Sequence, residues 1–269
     1  MPTPRTLLLT GAAGGLGTLM RSLLPEYGYE LRLFDVRPIE GEPDAITADL
    51  SDQDALREAV RGVDAVLHLA GISLEAPFEK ILRSNIEGTY HLYEAAREAG
   101  VPRIVFASSN HAVGFTPAPL AGEPPIPVGT PRRPDTFYGL SKSFGEDLAQ
   151  LYWDRHGLET VSVRIGSCFA EPTDVRMLSV WMSPADGARL FHAALTAEEV
   201  GHTVVYGSSA NTRLWWDLTS ARALGYEPRD DSEPYAEKLI AELGELDPEN
   251  PAHTHLGGRF VVDPPIWPH

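Results

Sequence analysis

Short apolar runs alternate with stretches of helical spacing along the first two thirds of the chain. Residues 5–10 (RTLLLT), 30–34 (ELRLF), 65–70 (AVLHLA), 103–108 (RIVFAS) and 160–165 (TVSVRI) are continuous enough to predict strands buried on both faces. Between them Leu16, Leu19, Met20, Leu23 and Leu24 repeat with helical period, and residues 52–61 form a polar helix with Ser51 or Asp52 as its N-cap. A long helical pattern covers residues 78–99 and is closed by Gly100 and Pro102. A second long pattern covers 135–156, and shorter ones cover 183–195 and 219–224.

Strands and helices that alternate without two-residue hairpin turns predict an α/β protein. The expected architecture is a Rossmann-type doubly wound parallel sheet with a small C-terminal substrate lobe. On this reading residues 1–269 form one domain, with the sheet core at about 1–165 and the lobe and tail at about 166–269. Prolines 117, 119, 124, 125, 127, 131 and 134 crowd a stretch with few periodic apolar positions. This predicts a loop over the C-terminal edge of the sheet, able to close over the site and exclude water. The segment 247–269, rich in Pro, His and aromatic residues, suggests no element and no role.

Composition adds exclusions. The 269 residues carry 22 basic and 38 acidic side chains, a formal charge of −16, which argues against a nucleic-acid groove or an anionic membrane face. Cys168 is the only cysteine, so an internal disulfide is excluded and a reducing compartment is expected. The first apolar run is too short for a signal peptide, and no run is long enough for a membrane helix, so a cytoplasmic protein is expected. The nine histidines offer no metal constellation, and no metal is expected.

The loop between the first strand and its helix reads Thr10-Gly-Ala-Ala-Gly-Gly-Leu-Gly17. Gly11 suits the tight turn, Gly14 lets the backbone approach a pyrophosphate, and Gly17 allows the helix to pack on the strand. Helix N-terminal amides then face the phosphate charge. Asp35, at the end of the second strand, is placed to accept hydrogen bonds from a ribose and to repel a 2′-phosphate, which favours NAD over NADP. Arg37 is the counter-argument, since it could neutralise such a phosphate. Asp49 and Leu50 end the next short segment and could touch the adenine edge; the alternative for Asp49 is a helix-capping acid before Ser51.

Tyr138 and Lys142 stand at i, i+4, so they share one helix face. A neighbouring ammonium is expected to lower the tyrosine pKa, making a base for a hydroxyl that loses hydride from the same carbon.

In this order, glycine loop, acid, Leu69-Ala70-Gly71, Ser108-Ser109 and Tyr-x-x-x-Lys resemble the extended, sugar-handling branch of the short-chain dehydrogenase/reductase superfamily, the NAD-dependent epimerases and dehydratases. The stretch Asn85-Ile-Glu-Gly-Thr89 is also similar to that branch. The resemblance implies a cofactor set of Gly11, Ala13, Gly14, Gly15, Leu16, Gly17, Asp35, Asp49, Leu50, Leu69, Ala70, Gly71, Asn85, Ser108, Tyr138, Lys142 and Ile165. The branch usually continues its serine strand differently; here the chain reads Ser108-Ser109-Asn110-His111-Ala112-Val113-Gly114. Counting back from Gly114 makes Ser109 the catalytic serine, and counting forward from Ser108 puts Asn110 there; Ser109 is the preferred assignment.

Gly71-Ile72-Ser73, Ser108-Ser109-Asn110-His111 and the stretch Arg164-Ile-Gly-Ser-Cys-Phe-Ala-Glu-Pro172 leading to Arg176 together resemble, within that branch, the uronate dehydrogenases. That resemblance implies NAD-dependent oxidation of the anomeric hydroxyl of galacturonate or glucuronate to an aldarolactone. It implies substrate roles for Ser73, Ser109, Asn110, His111, Tyr138, Ser167 and Arg176, with Arg176 gripping the carboxylate. Each has a plainer alternative: a surface ion pair for Arg176 with Glu171 or Asp174, packing for His111, turns for Ser73 and Ser167. Arg164 reads as structural, His68 as lining the cofactor cleft, and Trp215-Trp216 as packing of the small lobe. A nucleotide-sugar epimerase or dehydratase needs a larger C-terminal lobe, and a non-catalytic NAD sensor would not need the Tyr/Lys pair. The two long helices resemble those through which family members pair, which implies a homo-oligomer.

Overall fold

The computed structural model describes residues 5–264. Its centre is a seven-stranded parallel sheet. The strands are β1 (Thr6–Thr10), β2 (Glu30–Asp35), β3 (Ile46–Thr47), β4 (Ala65–His68), β5 (Arg103–Ser109), β6 (Glu159–Ile165) and, after the short pair β7 (Ser167–Cys168) and β8 (Trp181–Met182), β9 (His202–Gly207). The order is β3-β2-β1-β4-β5-β6-β9. The Rossmann-type expectation is met: all strands run parallel, and the order in which they are added reverses between β1 and β4, where such sheets open a crevice.

Alternation along β1 shows why the strands read as unbroken apolar runs. Leu7 and Leu9 pack into the core on one side of the sheet, and Leu8 into the core on the other. Both faces are covered, the first chiefly by α1 (Gly15–Leu23) and, from the second half of the chain, a thirteen-residue helix at Pro184–Thr196. The second face is covered by α2 (Gln53–Ala59) and the long central helices. Asp52 caps α2 by accepting from Ala55 N at 3.0 Å.

The pattern at 78–99 resolves into α3 (Phe78–Ile81), a π-helical stretch Leu82–Glu87, and α4 (Gly88–Ala99), ended by Gly100. The π stretch turns Asn85 inward. α5 (Phe137–His156) starts two residues later than the spacing predicts, because Thr136 is its cap and accepts from Gly139 N at 3.0 Å.

The C-terminal portion is built onto the same sheet, since β9 pairs with β6 from Thr160↔His202 to Ile165↔Gly207. The buried Trp216 stacks on Tyr206 of β9 with ring centroids 5.0 Å apart, as expected of a packing residue. The proline-rich segment is a wall rather than a free flap. Ile126 exchanges backbone hydrogen bonds with Trp215 and Asp217, Ala118 N donates to Thr254 O, and Arg133 N to Ala112 O.

Arg164 and Glu146 lock these parts together. Arg164 Nε and Nη2 donate to the two Glu146 oxygens at 2.8 Å each, Nη1 to Val128 O at 3.0 Å, and Ser108 Oγ donates to Glu146 Oε1 at 2.7 Å. β5, β6, α5 and the proline-rich wall therefore share one buried ion pair, and Arg164 is structural as its strand position suggests.

Candidate active site

A cleft of about 600 Å³ runs along the C-terminal edge of the sheet from the glycine loop to α5. At one end Gly11 N donates to Phe34 O at 2.9 Å, and a Cβ on Gly17 would lie 2.1 Å from Gly11 O. Any larger residue would therefore push α1 off the loop and close the cradle that its N-terminal amides form. Asp35 is buried at the end of β2 and accepts from Ala13 N at 2.8 Å and Arg37 N at 2.9 Å. Its remaining lone pairs are available to hydroxyl donors.

Arg37 resolves the counter-argument for NADP. Its Nη2 donates to Ala13 O at 2.6 Å and its Nε stands 3.7 Å from Asp35, so the guanidinium is engaged against the acid. Asp49 borders the cleft and accepts from Ser51 N at 2.8 Å, which holds its carboxyl below the usual range; it does not cap the following helix, whose cap is Asp52.

The far end of the cleft brings together Ser108, Ser109, His111, Tyr138, Lys142, Ile165 and Ser167, with Ser73 on the facing loop. Gly14, Gly15, Leu16, Leu50, Leu69, Ala70 and Gly71 line the stretch between. Tyr138 and Lys142 are both buried, and the Lys142 Nζ lies 5.5 Å from the Tyr138 ring centre and 4.9 Å from that of Phe106. Burial pushes the Tyr138 phenol up to about 12, with Ser109 pulling it partly back and Asp135 adding to the rise. Burial also brings Lys142 down to about 8. The expected lowering of the tyrosine by the ammonium is therefore outweighed here, because desolvation acts on both partners.

Four expected site residues lie off the cleft wall. Ala13 contributes its backbone to Asp35. Asn85 is buried behind the cleft, and its amide is committed: Oδ1 accepts from Ile72 N at 2.8 Å, and Nδ2 donates to Ile72 O at 2.9 Å and to Ser141 Oγ at 3.1 Å. It fixes the Gly71–Ser73 loop from below. Asn110 is fully buried, with its Nδ2 donating to Leu256 O. Arg176 opens onto an adjoining cavity of about 310 Å³ that shares His111 with the main cleft. The Arg176 Nη1 donates to Leu256 O at 3.1 Å, and Asp174 and Asp135 reach it only through their fields. The surface ion-pair alternative for Arg176 is thus set aside.

His68 departs from its reading as a cleft residue. It is fully buried, its Nδ1 2.7 Å from Thr10 Oγ1 and its Nε2 3.3 Å from Thr89 Oγ1, and burial with the Lys142 charge brings it down to about 3. Thr89 Oγ1 already donates to Asn85 O, so it accepts from Nε2–H and leaves Nδ1 to accept from Thr10. The ring is a neutral strut between β1, β4 and the helix behind them.

Three contributors escape sequence reading. Asp135 is buried and lies 2.7 Å from His111 Nδ1. Glu75 accepts from Tyr138 N at 3.0 Å and so supports the start of α5. Phe260 stacks on His111 at 4.1 Å between ring centres. Each is distant in sequence from its partner, and no spacing signals it.

The model of the NAD dependent epimerase/dehydratase family matches residues 7–226. The chain belongs to the NAD dependent epimerase/dehydratase family. Within this family it is 50% identical over 264 residues to the uronate dehydrogenase of Pseudomonas syringae pv. tomato, covering 97% of this chain and 94% of that protein. A solved structure of a mutant uronate dehydrogenase from Agrobacterium tumefaciens complexed with NAD is 44% identical, with a TM-score of 0.90 over 97% of this chain and 98% of that one. A family member with another sugar in its name, the NAD-dependent glucose-6-phosphate dehydrogenase of Haloferax volcanii, is 39% identical but covers 84% of this chain and 94% of that protein.

Proposed function

We propose that the protein is an NAD-dependent uronate dehydrogenase, oxidising the anomeric hydroxyl of galacturonate or glucuronate to an aldarolactone. The observation that carries the reading is the junction of the two cavities at His111. One side holds Ser109, Tyr138 and Lys142; the other holds the Arg176 guanidinium without a bonded carboxylate among the described residues. An acid sugar whose carboxylate meets Arg176 and whose anomeric carbon meets Tyr138 would span that junction. Near full-length identity to uronate dehydrogenases supports the same substrate class.

NAD, when bound, supplies the hydride acceptor. The glycine loop would hold its pyrophosphate and Asp35 its adenosine ribose; the Gly17 cradle, the free lone pairs of Asp35 and the engaged Arg37 all fit NAD. For the step to balance, Tyr138 acts as its phenolate: its oxygen would take the hydroxyl proton, while the hydrogen on the same anomeric carbon would leave with its electron pair for the hydride acceptor. Ser109 orients the reacting oxygen and, through its hydroxyl, brings Tyr138 part of the way down toward working pH. Lys142 supplies a buried positive charge whose field is little screened. Ser73, His111 and Ser167 offer hydrogen bonds to the sugar hydroxyls.

The NAD-binding core at about 1–165 and the substrate lobe beyond it divide these tasks, with β9 joining the lobe to the sheet. We place the enzyme in the cytoplasm, where its lone thiol at Cys168 would stay reduced. A homo-oligomer is supported by exposed apolar side chains on α4 and α5, Tyr90 and Leu151 among them. No helix among the described residues is long and apolar enough to cross a membrane.

Product analysis tests the chemistry. Galacturonate and NAD incubated with the enzyme are expected to yield a lactone as the first product, seen by NMR before its hydrolysis. An epimerised uronate, or no conversion of C1, would refute the reading.

A further inference from the structure

The segment 254–260 lies outside the matched family model and carries no sequence signal, yet it touches Asn110, His111 and Arg176. It runs along the residues that follow the serine strand: Thr254 O accepts from Ala118 N at 2.8 Å, Leu256 N donates to Thr116 O at 3.0 Å, and Gly257 N donates to Gly114 O at 2.9 Å. Leu256 is fully buried against Val113, Val180 and Trp216, so the segment is anchored by packing as well as by its backbone.

Two site residues meet at one atom of this segment. The Leu256 carbonyl oxygen accepts from both Asn110 Nδ2 and Arg176 Nη1, the latter at 3.1 Å. Two donors fill the two lone pairs of a carbonyl. Asn110 therefore acts as a bracket for the carbonyl, and the carbonyl as a bracket for the guanidinium, whose remaining donors are left for a ligand. Two residues on, Gly258 has φ +59°, and a Cβ there would stand 2.6 Å from Arg176 Nε and 2.9 Å from its Cζ. The guanidinium occupies the space that a side chain at 258 would need.

We infer that the segment 254–260 is the specificity-determining element of the site, its Leu256 carbonyl and the bare Cα of Gly258 together setting where Arg176 meets the acid group of the sugar. The inference rests on the uronate reading above and adds to it the part of the chain that positions the acid-recognising cation. Arg176 lies 80 positions before Leu256 and is held by no carboxylate bond among the described residues, so its direction is set by this contact. Recognition of a planar carboxylate by a guanidinium depends on that direction, because both partners present paired atoms in a plane.

The test is a double-mutant cycle of Gly258→Ala and Arg176→Ala, with kcat and KM measured for galacturonate and KM for NAD. Gly225→Ala is the control: Gly225 has φ +89° and open space around it, so it carries the same backbone strain without touching the site. Gly258→Ala is expected to raise KM for galacturonate about tenfold or more while KM for NAD stays within about twofold, as loss of a positioned binding group should. Gly225→Ala should leave both KM values near wild type. In the double variant Gly258→Ala should add little to the loss caused by Arg176→Ala, since both act on one cation. Multiplying losses, or an equal rise in KM for NAD, would overturn the inference while leaving the uronate reading intact. Wild-type enzyme that does not oxidise galacturonate or glucuronate would overturn the reading and the inference with it.

Discussion

Asp135 and His111 form a part-buried pair, 2.7 Å from Oδ2 to Nδ1, at the point where the two cavities meet. The contact turns the imidazole so that Nδ1 is engaged with the acid, and it places the ring edge-on to Tyr138 with centres 5.5 Å apart. Asp135 also acts on Tyr138 and Arg176 through its charge. Removing that charge with Asp135→Asn should bring the Tyr138 ionisation down, because a nearby anion opposes a phenolate. The alkaline-going limb of the kcat–pH profile should move to lower pH relative to wild type. An unmoved profile would show that Asp135 only packs.

Tyr138→Phe keeps the ring and loses the proton acceptor. It should lower kcat by about 100-fold to 10,000-fold, the usual contribution of a positioned acid or base, with KM for NAD little changed. Steady-state NADH formation checks this.

Lys142 gives a stability prediction with a definite sign. Its ionisation falls from 10.5 in an unfolded chain to about 8 in the folded one, so between those values the unfolded state binds the extra proton. Stability therefore rises with pH across that window, and below it the folded state carries the full cost of a buried ammonium. Lys142→Met should stabilise the fold by about 1–3 kcal/mol at pH 7, with the gain fading as pH approaches 10. Urea unfolding at the two pH values measures it; a loss of stability at pH 7 would contradict the argument.

Arg164 and Glu146 give the opposite case. Arg164→Leu leaves the buried Glu146 with only the more exposed Arg132, 3.7 Å away, as a cationic partner and should cost about 3–5 kcal/mol, whereas the Arg164→Leu, Glu146→Leu double variant should recover much of it. Thermal melts of the three proteins report the difference.

The sheet and the cofactor half of the site are legible in the sequence because both rest on local order. Leu7, Leu8 and Leu9 announce a strand buried on both faces, and Gly11, Gly14 and Gly17 with Asp35 announce the phosphate turn and its acid within thirty residues. The substrate half is legible only as types of residue. Asn110 and Arg176 look like ligands from their neighbours in the chain, and only the return of Leu256 shows that one is a bracket and the other its cargo. Asn85 and His68 mislead for the same reason: the π-helical stretch and the depth of β4 turn polar side chains inward to bind backbone and threonines. Asp135 and Phe260 have no local signal, since their partner His111 lies 24 and 149 positions away, and only the folded chain brings the three together.

The most direct test of the account is the ratio of kcat/KM for galacturonate to that for galactose, measured in wild type and in Arg176→Ala. The account predicts a wild-type preference for the acid of about 100-fold or more, as expected when a buried cation gains or lacks its partner, and a collapse of that preference in the variant. Equal turnover of the two sugars by wild type, or a preference for the acid that survives Arg176→Ala, would contradict it.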